Sequence, residues 1–284
     1  MPYRYFIKIS FNGADFCGWQ RQPNASTIQE ELEKSLRLIA GVDSGIIGCG
    51  RTDTGVHARV FYAHFNVDVP IHDLGRLAFR LNRFLPPSIA VKSVFPVSAD
   101  SHSRYSAIWR EYHYTITKEK DPFLTEWAYH TPGKLDIPLM NQACDLLLQS
   151  EDFECFSKVK TQVSNFRCRI LEAEWTEEEH ILVFRIRADR FLRNMVRAIV
   201  GTMLQLGQYK LDLQGFRRII ESKNRSKAGM SVPARGLMLW DIRYPDDVYC
   251  DSPQYFSNDS LNEIIGHHNT NPKFHDRSGN ETYE

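Results

Sequence analysis

Residues 48–58 read Gly48-Cys49-Gly50-Arg51-Thr52-Asp53-Thr54-Gly55-Val56-His57-Ala58. A guanidinium, a carboxylate and an imidazole stand close together here, with glycines on both sides. Glycine lets the backbone take tight or left-handed turns and come close to a ligand. An aspartate in such a loop is most often a turn residue bonded to nearby backbone; the alternative is chemistry by Asp53. Phosphate binding is a weaker option, because Gly-x-Gly alone is unspecific and no Gly-Lys-Ser/Thr follows. The loop separates a short strand pattern at 46–49 from a longer one at 60–69, with Phe61, Ala63, Phe65 and Val67 on one face.

Upstream, Tyr3, Tyr5, Ile7, Ile9 and Phe11 alternate with Arg4, Lys8 and Ser10, which predicts a half-buried strand. Ser26-Thr27-Ile28-Gln29 reads as a capping box. Ile28, Leu32, Leu36 and Ile39 form the helix stripe behind it, and Gly41 stops the helix. Downstream, Leu74, Ala78 and Leu81 predict a second helix ended by Pro86-Pro87, followed by a strand at 89–97. The second half follows a similar order. A strand at 111–117 places Tyr112, Tyr114 and Ile116 on one face, and Asp136-Ile137-Pro138 opens a helix through Leu148. Residues 170–175 and 181–187 form a hairpin around 177–180. A long helix over 190–206 ends at Gly207, Asp212 caps a helix through Ser222, and 237–242 closes as a strand. This order predicts an α+β fold of two similar lobes, each a mostly antiparallel sheet with helices on one face. The lobes are expected at 1–105, carrying the Asp53 loop, and at 106–245. Residues 246–284 are expected to form an acidic, flexible tail, with a weak apolar cluster at Leu261, Ile264 and Ile265 that allows one short helix.

A chain of 284 residues, 42% hydrophobic and 25% charged, has ample apolar material for a core, which excludes disorder as its global state. No apolar run reaches the length of a membrane span. The amino-terminal residues enter a strand pattern directly, without the apolar stretch of a signal peptide. The six cysteines contain no Cys-x-x-Cys pair, which argues against a zinc ribbon and a disulfide scaffold and predicts a cytoplasmic protein. The zero net charge hides an asymmetry. Residues 245–284 hold eight acids and two bases, a net of −6, so the preceding body carries +6. A basic body fits nucleic-acid binding, although charge alone favours an ordinary solvated surface.

The loop 50–58 resembles the signature loop of the TruA family of tRNA pseudouridine synthases. Other blocks match in order. Gly18-Trp19-Gln20-Arg21-Gln22 with Gln29-Glu30-Glu31-Leu32-Glu33 resembles the amino-terminal block. Arg104-Tyr105-Ser106-Ala107 with Tyr112-His113-Tyr114 resembles the central strand motif. Asn194-Met195-Val196-Arg197 with Ile199-Val200-Gly201 resembles the third motif, and Gly236-Leu237 with Tyr244-Pro245 the last strand. The resemblance covers 3–245. It departs at Glu111, where the family usually carries a second basic residue, and at Ser101, where it has an aromatic.

The resemblance implies an isomerase that converts uridine to pseudouridine in the anticodon stem-loop of tRNA, at positions 38–40. It implies no cofactor and no metal, a homodimer, and an RNA cleft between the lobes. Asp53 maps to the catalytic aspartate. Arg197 is its implied partner, holding the carboxylate in a fork of two hydrogen bonds. From spacing alone, Arg190, Arg193 and Arg197 would be a solvated or phosphate-binding helix stripe opposite Met195, Ile199 and Met203; the resemblance leaves Arg190 and Arg193 facing RNA. Tyr112 is the implied stacking platform and proton-handling group, with Tyr114 left to packing. Arg51 fills the space of a flipped base or grips a phosphate. His57 is a candidate for RNA contact, with bracing of the loop as the preferred role. Trp19, Gln20 and Arg21 lie on a loop that contacts RNA or packs between lobes. Two other classes compete. A noncatalytic RNA-binding module would not bring Asp53 and Arg197 into one site. A metal-dependent hydrolase using Asp53 and His57 lacks carboxylates and histidines at ligand spacing.

Overall fold

The computed structural model describes residues 2–159 and 165–250. The apolar cluster at 261–265 and the expected flexibility of the rest of the tail lie outside the described residues. In the amino-terminal half run β1 (Tyr3–Phe11), α1 (Ile28–Ala40), β2 (Ile47–Gly48), β3 (His57–Val67), α2 (Leu74–Phe84) and β4 (Ile89–Val97). Then come β5 (Trp109–Thr117), β6 (Tyr129–His130), α3 (Ile137–Leu148), β7 (Ile170–Glu178) and β8 (Ile181–Ala188). The chain continues with α4 (Met195–Gly207), α5 (Leu213–Glu221), β9 (Leu237–Arg243) and α6 (Asp247–Cys250). The α+β class read from the sequence is what the structure has.

The sheets of the two halves are continuous. Their strands run in the order β4-β1-β3-β9-β5-β8-β7, with β2 paired to β3 and β6 to β5. Along this path every pairing is antiparallel except the seam, where His57 and Ala58 of β3 pair in parallel with Met238 and Leu239 of β9. Two cores flank the seam. One combines β1, β3 and β4 with Ile28, Leu32 and Leu36 of α1 and Leu77 and Leu81 of α2. The other gathers residues of β5, β7 and β8 with those of α3, α4 and α5. Each core borrows from the opposite half. Leu239, Ile242 and Tyr244 enter the first, and Val56 enters the second.

Several expectations are corrected. Strand β1 is buried on both faces, because Phe6, on the side of Lys8, packs against Phe95, His64 and Tyr244 with ring centroids 5.4–6.1 Å apart. The cap of α1 is Thr27, not Ser26; its hydroxyl accepts from the Glu30 amide, while the Ser26 carbonyl is taken by the Cys17 amide. Residues 246–250 do not begin a flexible tail: Val248 and Tyr249 of α6 are buried in the first core. Helix α4 starts at Met195 rather than 190, because Asn194 is left-handed at φ 67° and interrupts it.

Glycine 201 lies inside α4, where alanine would normally be the better helix former. A Cβ there would sit 1.8 Å from the Met230 carbonyl oxygen. The 228–232 segment therefore lies directly on α4, and the Val232 amide bonds to the Arg197 carbonyl at 3.2 Å. Gly201→Ala gains about 1 kcal/mol of helix propensity but is expected to lower stability by about 1–3 kcal/mol as the two segments part. Urea unfolding of the two proteins reads the sign.

On the other face of β5 lies a buried carboxylate, Glu111. It accepts from Arg185 Nε at 2.9 Å and from Arg187 Nε and Nη2 at 2.8 and 2.6 Å, and it bonds His113 Nε2 at 2.8 Å. Arg185 and Arg187 also pair with Glu172. Burial disfavours the charged carboxyl, but the bonds from His113 and Arg187 and the nearby guanidinium charges outweigh it and hold the pKa at about 2. A folded pKa below the ordinary value of 4.5 means this contribution is complete above pH 4.5. It fades as pH falls towards 2, and is on the order of 3 kcal/mol. Glu111→Gln is expected to flatten the fall in stability between pH 4.5 and 2, measured by urea unfolding at each pH.

Candidate active site

The Asp53 loop is fastened along its length. The Cys49 amide bonds to the Tyr62 carbonyl at 2.7 Å, the Val56 amide closes a turn on the Asp53 carbonyl, and Gly55, left-handed at φ 77°, bonds to the Phe16 carbonyl. His57 anchors the end of the loop. Burial lowers its pKa, so the ring is neutral at pH 7. Its Nδ1 accepts from the Gly13 amide at 3.1 Å, which leaves Nε2–H to donate to the Glu126 carbonyl at 2.9 Å. With both nitrogens used and the ring tilted against Trp127 at 4.6 Å, His57 braces the loop and is not available to RNA, which corrects its place among the contact candidates. Trp19 is also inside, stacked on Phe61 at 4.3 Å in the first core.

Asp53 Oδ2 lies 3.2 Å from Arg197 Nη1, and Oδ1 lies 3.7 Å from Arg193 Nε. The expected two-bond fork from one guanidinium is replaced by two arginines, because Arg197 Nε is spent on the Val232 carbonyl at 2.8 Å. Arg190 and Arg193 are not on a helix face with Arg197. They lie in the irregular segment before α4, where Asp189 accepts the amides of Arg169 and Arg190.

Asp53 borders a cleft of about 1020 Å³ at the seam. Tyr112 lines it, with Phe191 edge-on at 5.1 Å, and Val56, Leu237 and Leu239 complete an apolar wall. Burial raises the Tyr112 pKa well above its ordinary value, and the Asp53 charge adds to this, so the hydroxyl stays protonated at neutral pH. Tyr114 is fully buried and donates to the Pro233 carbonyl at 2.8 Å. Cys49 also lines the cleft; burial pushes its thiol up to about 12, which leaves it protonated and unreactive. Six arginines and two aspartates surround the space, so part of the body's positive charge is concentrated here. Arg51 is exposed at this cleft. Arg21 lies at it too, paired with Glu30 and Glu33 of α1.

Sequence reasoning missed Arg110 and Phe191. The Arg110 guanidinium donates to the carbonyls of Ala107 at 3.1 Å, Asp189 at 2.9 Å and Cys49 at 3.4 Å, and to that of Arg104. It thereby joins the Asp53 loop, the 104–107 segment and the 189–193 segment around the cleft. Its signal was present: an arginine in register with Tyr112, Tyr114 and Ile116 sits on the inward face of a strand, where a charge needs partners. Phe191 carries no comparable signal.

A family model described as tRNA pseudouridine synthase matches residues 143–245. The tRNA pseudouridine synthase A of Parabacteroides distasonis is 50% identical over 246 residues, which cover 87% of this chain and 98% of that protein. The protein of the same name from Bacteroides thetaiotaomicron is 46% identical over 251 residues, covering 87% and 93%. That from Clostridium acetobutylicum is 36% identical over 240 residues, covering 84% and 98%. These similarities, over 84–87% of this chain and 93–98% of each relative, agree with the five ordered motifs: the chain belongs to the tRNA pseudouridine synthase A family.

Proposed function

We propose that this chain isomerises uridine to pseudouridine in the anticodon stem-loop of tRNA, at positions 38–40, with Asp53 as the catalytic carboxylate. The observation that carries the reading is the meeting of Asp53 and Arg197 in a basic cleft lined by Tyr112 and Phe191. In the reaction the N1–C1′ bond breaks, the uracil turns and C5 joins C1′; C5 loses a proton and N1 gains one. No atom or electron is exchanged with a co-substrate. A carboxylate at C1′ stabilises the positive charge developing there or bonds to it covalently. The base must first leave its stack, which costs a few kcal/mol. Stacking on an aromatic side chain returns about 1–3 kcal/mol, and Tyr112 and Phe191, which line the cleft, supply it. The Tyr112 hydroxyl, kept protonated by burial, has a hydrogen to offer as a hydrogen-bond donor. Arg51, Arg21, Arg190 and Arg193 contact the RNA. The lobes are 1–105 and 106–245, and two copies of the chain form the cleft that holds the tRNA in the cytoplasm.

Asp53→Asn is expected to keep the fold and most RNA affinity while lowering turnover by at least about a thousandfold. Pseudouridine mapping of tRNA from cells lacking the protein, with and without rescue by this variant, checks it. Tyr112→Phe is expected to leave Kd within about twofold and to slow single-turnover product formation by about ten- to a hundredfold. An unchanged rate would remove the hydroxyl from the reaction.

A further inference from the structure

Asp53 stands in a wall between two clefts. Adjoining the aromatic cleft lies a second one of about 730 Å³; Gln22, Thr52, Asp53, Arg193 and Asn194 line both. Among the described residues the second cleft has no aromatic lining. It gathers Lys158, Arg193, Arg197 and Arg225, and Asp53 is the one carboxylate lining it among the described residues. Arg193 and Arg197 are directed at that carboxylate. Lys158 and Arg225 have no carboxylate partner among the described residues.

Arg225, Asn194 and Ser231 are held in place. Arg225 donates to the Gly229 carbonyl and to Ser231 Oγ, each at 3.0 Å, and Asn194 Nδ2 donates to the same hydroxyl at 2.5 Å. A hydroxyl that accepts twice has its hydrogen left to donate. The Lys158 amide bonds to the Arg193 carbonyl at 3.0 Å, which ties the exposed lysine to the segment carrying Arg193. Two uncompensated cations and an O–H donor therefore face a space where a base has no ring to stack on. That is a site for a phosphate oxygen.

We propose that the second cleft binds the phosphodiester adjoining the target nucleotide, through Lys158, Arg225 and the Ser231 hydroxyl, while the uracil occupies the aromatic cleft. This rests on the reading of Asp53 as the group at the ribose. The adjoining phosphate is only a few bonds from C1′, so one nucleotide spans the shared wall, with its base on one side and its phosphate on the other. Contacts of this kind set register without reading sequence.

The test uses a synthetic anticodon stem-loop RNA, unmodified or carrying one uncharged methylphosphonate at the linkage 5′ or 3′ of the target uridine. The full chain is compared with and without Lys158→Ala, both carrying Asp53→Asn so that the RNA is not consumed. Lys158→Ala is expected to raise Kd about fivefold on unmodified RNA and to reduce the slope of log Kd against log salt by about 0.7. At one of the two linkages the methylphosphonate should raise Kd by a similar factor, and combining it with Lys158→Ala should add nothing further. An unchanged Kd for Lys158→Ala, or effects that multiply at both linkages, would overturn the proposal. Pseudouridine formation by the unaltered chain is measured separately. Its absence alongside intact coupling would refute the isomerase reading and leave the phosphate contact standing.

Discussion

The contact between Asp53 and Arg197 joins residues 144 positions apart, and the architecture around the seam exists in a form that makes it possible. The loop bearing Asp53 runs into β3. Strand β3 pairs with β9 through His57 and Ala58. The segment leading into β9 contains Val232, whose carbonyl orients the Arg197 guanidinium and whose amide bonds the Arg197 backbone. The ring of contacts closes on Asp53 itself. A change at any point, including the missing side chain of Gly201, moves the carboxylate relative to its cation. Holding reacting groups to a fraction of an ångström is how a site lowers the cost of orientation.

Strand β5 divides two electrostatic tasks between its faces. Its even-numbered residues face the site and the second core: Arg110 clamps three segments by their carbonyls, Tyr112 lines the cleft and Tyr114 packs. Its odd-numbered residues carry the ion network on Glu111, with His113 stacked on Trp240 at 4.1 Å and Arg59 over the same indole at 4.2 Å. Glu111 is the carboxylate at the centre of that network. Here it neutralises Arg185 and Arg187, so this face is internally compensated while the cleft keeps its arginine excess. A buried network of this kind adds little net stability over an apolar packing but is costly to break, so it fixes the register of β5 against β8.

The elements were legible because side-chain periodicity is a local property. The β4 pattern at 89–97, the Gly41 stop and the Asp136 and Asp212 caps depend on neighbours a few residues away, and each is where the pattern put it. Misreadings arose where distant contacts outweighed the local pattern. The second buried face of β1 depends on Tyr244, far along the chain. The late start of α4 comes from the left-handed Asn194, whose side chain bonds Ser231 across the cleft wall.

The sequence alone determined an α+β chain with an aspartate loop between two strands, and a set of ordered motifs shared with one family. Only the tertiary structure decided that the two halves share one sheet and that His57 is a brace. It also decided that Arg110 is a clamp, that two arginines rather than one hold Asp53, and that a second cationic cleft backs the first. Helix and strand patterns are set by residues a few positions apart. The partner of a carboxylate is set by which backbone segments approach one another, and that follows from the packing of the whole chain.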